Sequence, residues 1–232
     1  MEHAKHVARS AAAGRTGLLR IAVSNGVTQP RLAALLALSR EEDPSVQISV
    51  LEVPPGEQVR GLREGIFDAG LAQSDPAGSG IKALPLWNEE LVAVVPSRHP
   101  LLAYPQISSG DLARYPLIVS HPDVYPGYSR KVDKMLRSMD VRPDVAERTV
   151  SVEMTLTLVA AGYGVGIAPA EKIAIYRYPE VAIRPLAIDG AELTTYLLLP
   201  PEHELQERLT AFVDRAARAF GADDASDARP LQ

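Results

Sequence analysis

The sequence predicts an α/β protein whose strands and helices alternate as in doubly wound sheets, and three observations carry that expectation. Residues 155–171, TLTLVAAGYGVGIAPAE, join a helix to a buried strand across glycines. Apolar runs of strand length recur between stretches of helical periodicity, first over 18–72 and again over 117–186. The chain is also long: 232 residues exceed one typical domain of about 100 to 150, so one large or two small α/β domains are expected. Strands and helices alternating at these spacings imply parallel pairing through crossovers.

The 155–171 joint is the clearest local signal. Leu156, Val159 and Ala160 recur at i, i+3 and i+4, one apolar stripe on a helix. Gly162 then stands where a helix-ending residue needs positive φ, which costs glycine nothing sterically. Val165, Ile167 and Ala168 follow as an apolar run closed by Pro169, too short for a helix and bounded by breakers.

Before that joint, residues 1–17 read as a weakly basic linker remnant, and 18–23 form a strand running into Ser24, Asn25 and Gly26. Thr28 can cap the next helix, Pro30 lies in its first turn, and Leu32, Leu35 and Leu36 give it an apolar stripe before Asp43 and Pro44 end it. A second strand at 46–53, a short helix ending at Gly65 and a third strand at 67–72 complete the first set. Weaker strands at 81–86 and 91–95 precede a proline-punctuated connection. The pattern restarts with strand LIVS, a helix carrying Val132, Met135, Leu136 and Met139, and a strand at 145–150. After the glycine joint come strands at 181–186 and 194–199 and a closing amphipathic helix marked by Leu205, Leu209, Phe212, Val213 and Ala216. The acidic, small-residue stretch 221–232 reads as a disordered tail.

Composition bounds the function. The chain is 46% hydrophobic and 23% charged, an ordinary globular balance. It has no cysteine, which removes disulfides, thiolate metal sites and cysteine nucleophiles and suits a reducing compartment. No uninterrupted apolar core of about 7 to 15 residues lies near Met1, and no stretch spans a membrane, so a cytoplasmic protein is expected. A net charge of -5 argues against gripping nucleic acid with the whole surface.

In order and spacing, AAAGRTGLLRIAVS, LREGIFDAGLAQ, LWNEELVAVVPSRHPLL and LVAAGYGVGIAPAE resemble the effector-binding domain of LysR-type transcriptional regulators, over roughly residues 12–219. The resemblance implies a type-two periplasmic-binding-protein-like fold: two Rossmann-like lobes, two crossing strands, and a cleft for a small molecule. It places the first crossing after IKALPLWN and the return before TTYLLLP, giving lobe I at 18–88 and 193–220 and lobe II at 89–192. The stripe of Leu32, Leu35 and Leu36 reads as core in part, and the resemblance adds a homodimer built in part on that helix, with dimer and tetramer both open for the full-length protein. DNA would be touched only through a winged helix-turn-helix absent from this chain.

In doubly wound sheets, ligands settle outside the carboxyl ends of strands. Ser24 and Asn25 end the first strand and Thr28 opens the next helix, so a carboxylate there would meet hydroxyl, amide and helix dipole. The same residues also read as a cap and a satisfied turn, and the resemblance tilts the balance toward a ligand. Gln73 and Ser74 follow the third strand; some relatives that sense aromatic-ring breakdown products carry arginine where Gln73 stands, which weakens the case for a dianion. Ser120 and His121 end a strand, and Tyr128 opens the following helix with an aromatic face suited to a planar ligand or, equally, to packing under a loop. Ser151 precedes the next helix as a cap or a ligand donor.

Other constellations carry less. His3 and His6 have a metal-like spacing but no carboxylate or cysteine cluster beside them, and no metal or cofactor is expected. Gly162, Gly164 and Gly166 follow a helix and so make no dinucleotide fingerprint. Neither a GxSxG turn nor an acid pair at a strand end is present, so an enzyme is not expected. The expected function is effector sensing in a bacterial LysR-type regulator, for a small organic acid or aromatic metabolite between the lobes. The alternative is a free-standing solute-binding protein of a transport system.

Overall fold

The computed structural model describes residues 17–24, 26–27, 29–76, 78–141, 143–200 and 207–220. It divides into two compact units, the described residues of Met1–Trp87 with Thr195–Gln232, and Asn88–Thr194. Residues 1–16 of the expected linker 1–17, the tail 221–232, and His3, His6, Asn25, Thr28 and Leu205 lie outside the described residues.

The first unit is built on β1 (Leu18–Val23), β2 (Gln47–Glu52) and β3 (Ala69–Ala72), with α1 (Gln29–Glu42) and α2 (Pro55–Arg63) as crossovers. β1 pairs in parallel with both β2 and β3. Alternate residues face opposite sides of this sheet. Leu19, Ile21, Val23 and Leu71 pack with Leu32 and Leu35 of α1, and with Leu209, Phe212 and Ala216 of α7 (Glu207–Phe220). Ala22, Ala72 and Leu198 pack on the other side with Leu62 of α2 and with Phe67. Burying a residue of the size of Phe212 or Leu35 contributes about 1.5–3 kcal/mol, so helices on both faces are what this sheet requires. Glu42 ends α1 by accepting from Arg215 (2.9 Å) and Arg218 (2.7 Å) of α7, and the two guanidiniums hold its carboxyl below the usual range.

The third strand is shorter than the expected 67–72, because the Phe67 N–H turns back to the Gly61 carbonyl (3.2 Å). The Phe67 ring fills the place where a Cβ on residue 61 would sit, which explains that glycine. The two weak strands at 81–86 and 91–95 are one strand, β4 (Lys82–Pro96), running from the first unit into the second; β10 (Glu192–Leu199) returns.

In the second unit β6 (Leu117–Ser120) pairs in parallel with β7 (Val145–Thr149) and β8 (Val165–Pro169). α4 (Pro126–Arg137) and α5 (Val152–Ala160) are the crossovers. Leu117, Val119, Val165 and Ile167 face Val132, Met135 and Leu136 of α4; Ile118, Val94 and Ala168 face Leu156 and Val159 of α5. The glycine joint has the expected form: Gly162 has φ +80 and closes on the Val159 carbonyl (2.9 Å). Gly164 is needed for another reason, since a Cβ there would lie 2.4 Å from the Pro116 carbonyl oxygen.

Purely parallel sheets do not result. β10 runs antiparallel to β3, while β8 and β9 (Val181–Ala187) both run antiparallel to β4. The strands that carry the chain between units enter each sheet from the opposite direction, which local periodicity does not encode. The proline-rich connection holds a 3-10 turn at Pro100–Ala103, β5 (Ile107–Ser108) and α3 (Ser109–Leu112), and a short α6 (Ala170–Ala174) follows β8.

Candidate functional site

In the first unit the strand ends form a polar set. Ser24 is buried, and its N–H donates to the Leu71 carbonyl at 2.9 Å, extending the β1–β3 pairing by one residue. Gly26 follows with φ +105, turning the chain away from the sheet. The Gln73 amide donates to the Gly26 carbonyl at 2.6 Å and is itself buried, so it braces this turn; Ser74 beside it is half-buried.

Sequence patterns did not single out Gln58. It sits on α2 at 1% exposure, and its amide donates to the carbonyls of Ala22 (2.9 Å) and Leu71 (3.0 Å). It thereby ties together the two strands that carry Ser24 and Gln73. Gly70 leaves room for it, since a Cβ there would stand 3.0 Å from the Gln58 nitrogen. The signal was a glutamine on the inward stripe, four residues before Leu62.

In the second unit the parallel ends of β6 and β7 lie together, with Ser120 opposite Thr149 and the His121 N–H donating to the Thr149 carbonyl at 2.7 Å. Ser120 is half-buried, and its carbonyl accepts from the buried Ser129 hydroxyl at 3.0 Å. His121 Nδ1 accepts from the Asp123 N–H at 3.3 Å, which puts the proton of a neutral ring on Nε2. The hydroxyls of Thr149 and Thr155 pair at 2.6 Å behind the start of α5, a buried link between strand end and helix. Ser151 caps α5 by accepting from the Met154 N–H at 3.2 Å. Beside it Val150 and Met154 are 59% and 50% exposed, leaving apolar surface next to the hydroxyls.

Tyr128 does not offer the expected open face. Its ring is 3% exposed within the core under β6 and β8, and its hydroxyl donates to the Ile167 carbonyl at 2.6 Å. Burial pushes its phenol well above the ordinary range. The apolar stripe of α1 divides between core and surface. Leu32 and Leu35 are core residues at 7% and 0% exposure, and only Leu36 is half-buried. Leu36 lines a groove of about 530 Å³ with Arg40, Pro44, Val46, Ile48 and Val50. Among the described residues, no group of three or more His, Asp or Glu is placed to hold a metal ion. Nor, among them, is any helix long and apolar enough to cross a membrane.

A family model for the LysR substrate binding domain matches residues 12–221. The chain belongs to that family. The HTH-type transcriptional regulator CysB of Burkholderia cenocepacia is 32% identical over 171 residues, which are 72% of this chain and 53% of that protein. The effector binding domain of BenM with benzoate superposes with a TM-score of 0.76 at 23% identity, covering 88% of this chain and 91% of that one. The effector binding domain of QuiR in complex with shikimate gives a TM-score of 0.73 at 21% identity, covering 88% and 97%. The LysR substrate-binding domain described here therefore has the type-two periplasmic-binding-protein-like fold. It spans about half to two thirds of the length of the curated relatives it matches, which are HTH-type transcriptional regulators.

Proposed function

We propose that this domain senses an effector for a bacterial LysR-type transcriptional regulator, taking a small organic acid or aromatic metabolite at the carboxyl ends of its strands. One observation carries the reading. In a member of this family, buried or half-buried hydroxyls and amides gather at the strand ends of each unit, Ser24 with Gln73 and Ser120 with Thr149. The benzoate and shikimate bound by the two structural neighbours support a carboxylate on a six-membered ring. Neutral donors suit one carboxylate better than two, since each further charge would need a cation of its own. The effector acts only if it binds two conformations of the protein with different affinity.

Thermal shift against a panel of ring carboxylates tests this. A true effector at about 100 times its Kd raises Tm by roughly 5–10 °C. Ser24→Phe and Ser120→Ala are expected to reduce that rise. If Ser24→Phe unfolds the domain, Ser24→Ala takes its place. A rise unchanged in both Ser24→Ala and Ser120→Ala removes these residues from the site.

The domain also acts, in this reading, as a homodimer within a longer protein whose helix-turn-helix binds DNA. β2 is paired only with β1 among the described residues, and the Leu36 groove lies beside its open edge. An exposed strand edge with Val50 at 38% exposure favours a second chain there. Val50→Glu is expected to shift sedimentation toward monomer, and a distribution unchanged by it places the dimer contact elsewhere.

A further inference from the structure

β1 and β3 are parallel neighbours, so their carboxyl ends lie side by side, and the chain leaves them through Ser24 and through Gln73. Both residues are buried, at 4% and 6% exposure. The fold does not use all of their polar atoms. Among the described residues the Ser24 hydroxyl has no hydrogen-bond partner, and the Gln73 side chain is bonded through its nitrogen alone. That nitrogen donates to the Gly26 carbonyl at 2.6 Å. A carbonyl oxygen only accepts, so the contact fixes which end of the amide meets it. Nε2 faces Gly26, and Oε1 is left with no donor from the described residues. Elsewhere the buried hydroxyls are paired: Ser129 donates to the Ser120 carbonyl, and Thr149 and Thr155 bond each other. A buried acceptor without a donor is uncommon in a folded protein and marks a place where the donor comes from outside it.

We propose that Gln73 selects a hydroxylated effector, its Oε1 accepting from a hydroxyl of the ligand while the carboxylate is taken by donors such as Ser24. The inference rests on the effector-sensing function proposed above and names the class of acid, one that carries a hydroxyl. The amide keeps a second hydrogen on Nε2, so its free part offers one acceptor and one donor. A hydroxyl answers both. A carboxylate has no hydrogen to give, answers only the donor, and meets repulsion at the amide oxygen. An acid without a hydroxyl displaces water from Oε1 and returns nothing, leaving a buried acceptor unpaired. Sites built to bond a hydroxyl reject the analogue lacking it for that reason. The contact with Gly26 also keeps the amide from turning over, because the flipped side chain would set oxygen against oxygen.

The test titrates the whole chain by calorimetry with each ring carboxylate of the thermal-shift panel beside its meta- and para-hydroxy and its meta- and para-methoxy derivatives. A methoxy oxygen accepts and cannot donate, so it separates a donor from polarity alone. In the wild type at least one hydroxy acid is expected to bind about tenfold tighter than its parent and than its methoxy derivative. Gln73→Met brings that ratio to near one. Loss of the Gly26 contact by itself would weaken all three acids together and leave the ratio as it was. Gln73→Arg can still donate to Gly26 but offers no acceptor, so it is expected to abolish the ratio too, and it serves where Gln73→Met does not fold. A hydroxyl preference unchanged in either folded variant overturns the role of Gln73 and leaves effector sensing intact. So does a wild type that binds ring acids with no gain from a hydroxyl. If no acid of the panel binds or raises Tm, the functional reading and the inference fail together.

Discussion

The two strand-end sets share a place in similar sheets and differ in what their polar groups are used for. In the first unit, side chains are committed to the backbone: Gln58 spans the carbonyls of Ala22 and Leu71, and Gln73 holds Gly26. No charged side chain enters those contacts. In the second unit the backbone is held by hydroxyls and by the buried Tyr128, while Lys172, Glu153, Tyr125 and Tyr176 form an outer layer. The first arrangement fixes geometry and is indifferent to charge. The second adds an outer contact between a cation and a ring and another between a phenol and a carboxylate.

That contrast predicts unequal costs. Gln58→Leu keeps the volume but deletes two buried hydrogen bonds, to the carbonyls of Ala22 and Leu71. A loss of about 2–3 kcal/mol is expected from the midpoint of urea unfolding at unchanged m. A loss below about 1 kcal/mol would show that the first set is not committed to the backbone as described. Tyr128→Phe removes one hydroxyl from the Ile167 carbonyl and is expected to cost about 1–2 kcal/mol, less than Gln58→Leu because a single bond is lost. The reverse order would break the comparison. Ser151→Ala, at a helix cap open to water, is expected to cost about 0.5–1 kcal/mol, which guanidinium unfolding can resolve.

Much of this was legible in the chain because it is local. Gly162 ends its helix through its own φ, and Ser24 and Ser120 are found by asking which polar residue follows a short apolar run. What was not legible depends on partners distant in sequence. Gln58 is notable only once Ala22 and Leu71 lie beside it, and Lys172 only once Tyr125 does. Tyr128 shows the same limit from the other side: ligand face and core ring give one sequence pattern, and burial under β8 decides between them. β4 was split in two because Asn88, Glu89 and Glu90 interrupt its apolar pattern at the place where it passes between units. The antiparallel strands followed from that passage and from no local signal.

The smallest effect is the most diagnostic for the outer layer of the second unit. Glu153 is held below its ordinary value of 4.5, first by its own backbone N–H and then by the Tyr176 hydroxyl, while Tyr176 is raised above 10.0, first by Glu153. A depressed carboxyl contributes stability that is complete above 4.5 and is lost as pH falls through its folded value; a raised phenol contributes below 10.0 and loses it as pH rises. The clasp is therefore whole between those limits and opens at both ends. Both groups face solvent, so the change in Tm is small and is read as a difference between wild type and Tyr176→Phe across pH. That difference should be level between those limits and shrink as pH falls below 4.5 through the folded value of Glu153. In the same titration the phenol absorbance lost in Tyr176→Phe should belong to a late-ionising tyrosine, and Glu153→Gln should return it toward 10.0. A Tm difference that never shrinks as pH falls below 4.5, for as long as the domain stays folded, would mean that the Tyr176 hydroxyl is held by something other than the Glu153 carboxylate. The outer layer of the second unit would then lack the clasp between these two groups.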